Sequence, residues 1–181
     1  MPKIIENIRE QLLNETRAQV ERQGYGRTTI RSVANACGIA VGTVYNYFPS
    51  KDIMIASYMA EDWGKCLQEM RTHCGETAET VLRGIYDGLC SFIGRYQPLF
   101  QDEKAGKAYA AASPARHAEL RRQIASLVIP LCDGRDEQER QYLASFIAEA
   151  VIIWALAGTP FDTLYNVLRK LIKEDYDREQ F

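Results

Sequence analysis

The sequence predicts an all-α fold of nine helices in two domains: an N-terminal three-helix helix-turn-helix domain, joined by a long fourth helix to a C-terminal helical body. Three observations predict it. Apolar residues recur at spacings of three and four almost throughout, and hardly any stretch alternates with period two. Glycines, prolines and capping residues cut these runs at helix-length intervals. Residues 24–51 hold two short helical runs joined by Gly38-Ile39-Ala40, the spacing of two helices meeting in a tight turn.

Each element has its own warrant. Ile4, Ile5, Ile8, Leu12, Leu13, Thr16 and Val20 share one stripe, so helix 1 is expected over about 3–23, stopped by Gly24 and Gly26. Thr28 or Thr29 caps helix 2, which runs through Ile30, Val33, Ala34 and Cys37 to Gly38. Helix 3 spans about 41–48, before Pro49, and Ser50 caps a long helix 4 from Lys51 to about His73. Its apolar positions are Ile53, Met54, Tyr58, Trp63, Leu67 and Met70. After a break at 75–77, helix 5 is expected over about 78–96, closed by Pro98, and helix 6 over about 98–110. Ser113-Pro114 reads as a cap plus first-turn proline, which starts a helix 7 reaching about residue 132. Acids at 136, 137 and 139 suit the positive end of helix 8, expected over 137–157, and Gly158-Thr159-Pro160 separates it from helix 9, about 161–174.

Composition narrows the function. The chain has 181 residues, 46% hydrophobic and 25% charged with six prolines, which excludes a disordered or collagenous protein. The longest apolar stretch, Leu143 to Gly158, is interrupted by Glu149 and falls short of the roughly 20 residues that span a bilayer. The N-terminus has no unbroken hydrophobic segment, so a cytoplasmic protein without membrane association is expected. Five cysteines without a C-x-x-C pair argue for free thiols, and two histidines leave few candidates for a metal cage or general base. No catalytic residue, metal or cofactor is expected, and no enzyme. The charge is uneven: residues 1–51 are net +3 and residues 52–181 net −5 in a chain of net −2. A basic head on an acidic body suits a small DNA-reading module on a partner domain, with the boundary between 1–51 and 52–181.

Within residues 24–51, Ile30, Val33, Ala34, Ile39, Val44 and Phe48 form the expected small core. Thr43, Tyr45, Asn46 and Tyr47 are then left outward, a crowding of hydroxyl, amide and aromatic groups that a merely solvated helix has no reason to display. Such groups, with Lys51, hydrogen-bond phosphate, and Tyr45 is placed to reach a base edge.

At these residues the segment resembles the DNA-binding domain of the TetR/AcrR family of bacterial transcriptional regulators. The resemblance rests on Gly24-Tyr25, Thr28-Thr29, Ala34, Gly38, Gly42-Thr43-Val44-Tyr45, Tyr47-Phe48 and Ser50-Lys51, and covers about 50 residues. Two positions depart from the family pattern. Ala40 stands where a capping serine is common, a loss of roughly 1 kcal/mol. Val41 replaces a polar residue with a surface suited to a thymine methyl. The resemblance implies that Arg31, Val41, Gly42 and Tyr45 lie near base edges, and Thr29, Thr43, Asn46, Tyr47 and Lys51 on phosphates. An ion pair between Arg31 and an acid of helix 1 is an alternative for that arginine.

The resemblance further implies a ligand-binding and dimerisation body, hence a homodimeric repressor that binds a palindromic double-stranded operator and is released by a small apolar or amphipathic effector. Helix 8 supports dimerisation independently, being apolar on nearly every side and in need of a second cover. The expected interface residues are Leu143, Ile147, Val151, Ile152, Leu164 and Leu168. Tyr86, Cys90, Tyr96, Phe100, Tyr109, Tyr142 and Trp154 are the candidates for lining an effector pocket, or alternatively core aromatics. His117 reads as a surface residue beside Arg116, Arg121 and Arg122, and Glu149 as a hydrogen-bonded or dimer-rim residue. Cys66, His73 and Cys74 leave open a thiol-based redox or metal sensor on the same scaffold.

Overall fold

The computed structural model describes the backbone of residues 7–110, 113–133 and 135–172, and the side chains of 7–107, 115–133 and 135–172. Among the described residues there are nine α-helices and no strand: α1 (Ile8–Gln23), α2 (Ile30–Cys37), α3 (Val41–Tyr47), α4 (Lys51–Arg71), α5 (Ala78–Gln101), α6 (Glu103–Ala110), α7 (Ser113–Val128), α8 (Glu137–Leu156) and α9 (Phe161–Leu168). A short 3-10 turn, Ile129–Cys132, follows α7. Among the described residues no helix is long and apolar enough to cross a membrane.

Most boundaries are set by the local signals that predict them. Thr29 caps α2 in a reciprocal box with Ser32, each side chain accepting from the other's backbone N–H at 3.0 Å. Gly38 ends α2 at φ 66°, the left-handed conformation that a side chain resists. The Ser50 hydroxyl accepts from the Ile53 N–H, and Asp136 accepts from the Glu139 N–H at the start of α8. The start expected for helix 1 at residue 3 lies outside the described residues, and helix 9 is shorter than expected: α9 ends at Leu168 and residues 169–172 are turn, with 173–174 outside the described residues.

One boundary is corrected. Pro98 does not close α5, which continues to Gln101. The break falls at Asp102, whose carboxylate accepts from the N–H groups of Lys104 (2.9 Å) and Ala105 (3.0 Å) and so starts α6. The proline costs one backbone hydrogen bond, whereas the aspartate satisfies two donors of the following helix.

The chain divides by packing into two units: residues 1–64 with 96–111, and 65–95 with 112–181, so α4 and α5 each contribute to both. In the first unit, Ile30, Val33, Ala34, Ile39, Val44 and Phe48 are all buried, together with Leu12, Leu13, Met54 and Ile55. A polar network crosses it: Asp62, 5% exposed, accepts from Arg17 (2.6 Å) and from the Tyr96 hydroxyl (2.6 Å), and the Arg17 guanidinium lies over the Tyr58 ring. In the second unit, α7 packs along α8, and Leu82, Ile85, Leu89, Ile124, Ile147, Val151, Ile152 and Leu164 fill the core. Residues 65–73, the end of α4 and the turn after it, approach α5 closely: a Cβ added at Gly88 would lie 2.6 Å from Met70 Cε, and one at Gly84 2.5 Å from His73 Cδ2.

Candidate nucleic-acid interface

The helix-turn-helix is fixed from its backbone outward. The N–H groups of Gly38 and Ile39 close the end of α2 onto the carbonyls of Asn35 and Ala34 (3.2 and 2.9 Å), and α2 packs on α3. As the sequence indicates, Ala40 gives α3 no side-chain cap. Of the seven residues of α3 only Val44 is buried. Tyr45 (54% exposed), Asn46, Tyr47 (45% exposed) and Gly42 lie open, while Val41 and Thr43 are half-buried. A Cβ built on Gly42 meets nothing within 4 Å, so the chain's own packing does not demand a glycine there.

The α2 side of the site is also exposed. Thr29 is exposed with its hydroxyl oxygen engaged in the helix cap, and Arg31 is exposed.

Lys51 is placed differently from the expectation. Its Nζ donates to the carbonyls of Tyr25 (2.8 Å) and Thr28 (3.2 Å) and lies 3.7 Å from the centre of the Tyr25 ring. Burial pulls this ammonium below its ordinary pKa, with Asp52 opposing. The neighbouring Tyr25 hydroxyl donates to Asp52 (2.7 Å), and burial, then Asp52, pushes it up to about 12. Within the chain's own fold the ammonium is thus held by two carbonyls 23 and 26 residues away in sequence. Nothing local in the sequence signals that pairing.

The residues expected to line an effector pocket fall in both units. Tyr96 is buried on Asp62 and Phe100 is 49% exposed in the first. Tyr86, Cys90 and Trp154 are half-buried and Tyr142 is 69% exposed in the second. The Tyr86 hydroxyl donates to the Thr159 carbonyl, and burial followed by Cys90 raises its pKa. The side chain of Tyr109 lies outside those described. A cleft of about 440 Å³ in the second unit is lined by α7 and α8 residues including Arg121, Arg122, Gln141 and Ser145, none of them an expected pocket residue.

The expected interface residues are also placed differently. Ile147, Val151, Ile152, Leu164 and Leu168 are 0–2% exposed within the chain's own fold, and Leu143 is half-buried. The apolar side chains left open on α8 are Tyr142, Phe146, Ile153 and Leu156, with Val167 on α9. The physical reason is that a helix apolar all round does not disclose which side its own subunit covers; here α7, the 3-10 turn and α9 pack on α8, and Ile147, Val151 and Ile152 are on the covered side. Glu149 is half-buried and hydrogen-bonded as expected, but His117 is its partner: Nε2 lies 3.0 Å from both carboxylate oxygens, with Arg121 at 3.8 Å.

Cys66 donates to the Gly88 carbonyl, and burial raises its pKa, away from the thiolate that redox sensing needs. His73 pairs with Glu76 at 3.5 Å, Cys74 is exposed, and no group of three or more candidate metal ligands occurs among the described residues.

Comparison with known proteins fits this geometry. Residues 12–58 match the family description "Bacterial regulatory proteins, tetR family". Over 55 residues the chain is 38% identical to the HTH-type transcriptional repressor KstR of Rhodococcus jostii (strain RHA1), covering 30% of this chain and 26% of KstR. The match thus spans about a quarter of that relative's length. Over 176 residues, 90% of each chain, it is 26% identical to the HTH-type transcriptional regulator BetI of Burkholderia thailandensis. Its fold is similar to that of Thermus thermophilus FadR, described as a TetR-family transcriptional repressor in complex with lauroyl-CoA, with a TM-score of 0.58 and 18% identity over 96% of this chain and 99% of that one. The helix-turn-helix region of this chain, residues 12–58, thus matches the tetR family of bacterial regulatory proteins, and its all-helical fold is similar to that of a TetR-family structure.

Proposed function

We propose that this protein is a DNA-binding transcriptional repressor that acts as a homodimer on an inverted-repeat operator and is released by a small apolar or amphipathic effector. Residues 1–51 are the DNA-reading domain and residues 52–181 the ligand-binding and dimerisation domain of this reading. The observation that carries it is the surface of α3. A seven-residue helix with one buried side chain cannot be stable for its own sake, yet it displays two tyrosines and an asparagine to solvent. Gly42 adds to this, because a helical glycine costs about 1 kcal/mol against alanine and no neighbour requires it. A glycine facing open space suits close approach of a ligand backbone. In this reading Arg31, Val41, Gly42 and Tyr45 meet base edges, and Thr29, Thr43, Asn46 and Tyr47 meet phosphates.

Dimerisation is assigned to the open α8 stripe. Tyr142, Phe146, Glu149, Ile153 and Leu156 recur at alternating spacings of four and three, the seam a second helix fills. A two-fold dimer doubles the base pairs read and sets the half-sites one helical turn apart, roughly 34–36 Å, or a multiple of it. The effector reading is supported by the half-buried Tyr86, Cys90 and Trp154 of the second unit. By linkage, an effector that weakens DNA binding is itself held more weakly by the DNA complex, typically by 1–3 kcal/mol.

Fluorescence anisotropy with labelled duplexes tests the reading. Tyr47→Ala weakens binding to all duplexes alike, whereas Tyr45→Ala changes which base is preferred, by about 1–3 kcal/mol at one position. Equal binding of every duplex by the wild-type protein contradicts it. Sedimentation tests the seam: Ile153→Glu gives a folded monomer, while Ile152→Glu, at a buried position, gives an unfolded chain. A wild-type protein that stays monomeric at micromolar concentration removes the dimer.

A further inference from the structure

We infer that Lys51 is a positioning residue, a clamp that fixes the start of α2, and with it Thr29 and Arg31, against the corner where α3 passes into α4. The inference rests on the DNA-binding reading above and assigns Lys51 a role other than a phosphate contact.

An ammonium group has three N–H donors. Here one is directed at the Tyr25 carbonyl at 2.8 Å and one at the Thr28 carbonyl at 3.2 Å, and the Tyr25 ring lies 3.7 Å away for the third. The ammonium is therefore bonded on two sides and faced by a ring within the chain. Both carbonyls belong to the turn between α1 and α2, which would otherwise be held by the Thr28 hydroxyl on the Gly24 carbonyl (3.0 Å) and by the Tyr25 hydroxyl on Asp52 (2.7 Å). Thr28 immediately precedes Thr29, the α2 cap, and Lys51 lies three residues beyond Phe48, which ends α3. Two adjacent residues at the start of α4 thus hold the turn, the lysine taking carbonyls and the aspartate taking a hydroxyl. The arrangement ties together the two parts of the DNA face that come from different helices.

A clamp and a phosphate contact differ in salt dependence and in what arginine does. Each phosphate contact contributes about 0.9 to the slope of log affinity against log salt. Lys51→Met is expected to lower affinity for the operator about tenfold, as a mispositioned base contact would. Its salt slope stays unchanged, and its affinity for an unrelated duplex falls much less, a loss of discrimination that mere destabilisation does not produce. Lys51→Arg is expected to rescue only in part, because a longer, planar guanidinium does not reproduce the compact geometry of an ammonium set between two carbonyls and a ring. A slope reduced by about one in Lys51→Met, with slope and affinity both fully restored in Lys51→Arg, overturns the inference.

Reductive methylation of the free wild-type protein decides the matter independently of whether the variants fold or the DNA reading holds. Mass spectrometry is expected to find Lys51 modified far more slowly than the exposed Lys65 and Lys170. Equal rates overturn the clamp. A wild-type protein that prefers no DNA sequence, with Lys51 still protected, overturns the DNA reading and leaves the clamp standing as a feature of the fold.

Discussion

The two units of this chain are held together by different chemistry. The first is tied by directional bonds between groups distant in sequence: Arg17 and Tyr96 on Asp62, Lys51 on the Tyr25 and Thr28 carbonyls, Tyr25 on Asp52, and Ser32 on Gln19. The second has such bonds as well, His117 on Glu149, Tyr86 on the Thr159 carbonyl and Arg135 on the Leu171 carbonyl, but all are only part-buried, and its interior relies on apolar contact and on close helix approach at Gly84 and Gly88. Hydrogen bonds constrain angles, whereas apolar packing constrains mainly volume and tolerates repacking. A unit that must present a rigid surface of fixed shape needs the first kind. A body that admits a small molecule is better served by the second.

The largest effect that separates the units is expected at Asp62. Asp62→Ala removes the acceptor shared by Arg17 and Tyr96 in a nearly closed site, at a cost of about 3–5 kcal/mol. Thermal unfolding followed by circular dichroism measures it, and Asp62→Asn, which keeps one acceptor, falls between. A loss below 1 kcal/mol for the alanine variant shows the network to be incidental.

A smaller effect is expected at the second unit's glycines, where the neighbours differ in freedom. Gly88→Ala drives a methyl into Met70, which is 1% exposed and has nowhere to turn, costing about 1–3 kcal/mol. Gly84→Ala meets the ring of His73, whose side chain is 41% exposed and can swing outward, so its loss is smaller. The same denaturation experiment ranks the pair, and a reversed order contradicts the packing argument.

Smallest is the alkaline response of the first unit. Burial raises the pKa of Tyr25 to about 12, and raises those of Tyr58 and Tyr96 as well. Unfolded tyrosines ionise near pH 10, so the stability linked to these hydroxyls is complete below about pH 10 and is lost as the pH rises toward 12. Urea titrations at increasing pH are expected to show this decline, and Tyr25→Phe to reduce its slope.

What the sequence discloses follows the range of each interaction. The cap at Ser50, the cap of α2 at one of two adjacent threonines, the acidic start of α8 and the glycine ending α2 are signals within three or four residues, and all appear where the pattern places them. The six core residues of the helix-turn-helix are equally legible, because a short helix has one buried side. Pro98 misleads: it marks a weakened turn, while the true break needs the two N–H groups that Asp102 accepts. The inward side of α8 depends on where α7 docks, and the role of Lys51 on carbonyls of a turn two helices earlier, both contacts that no local window contains.

The central claim is that the open surface of α3 reads DNA sequence. Selection of bound duplexes from a random double-stranded pool by the wild-type protein, run beside a Tyr45→Ala/Tyr47→Ala variant, tests it most directly. The predicted result is enrichment of one inverted repeat by the wild-type protein, with half-sites one helical turn or a multiple apart, and loss of that enrichment in a variant that remains folded. Enrichment of no sequence by the wild-type protein, or of the same repeat by both, contradicts the account.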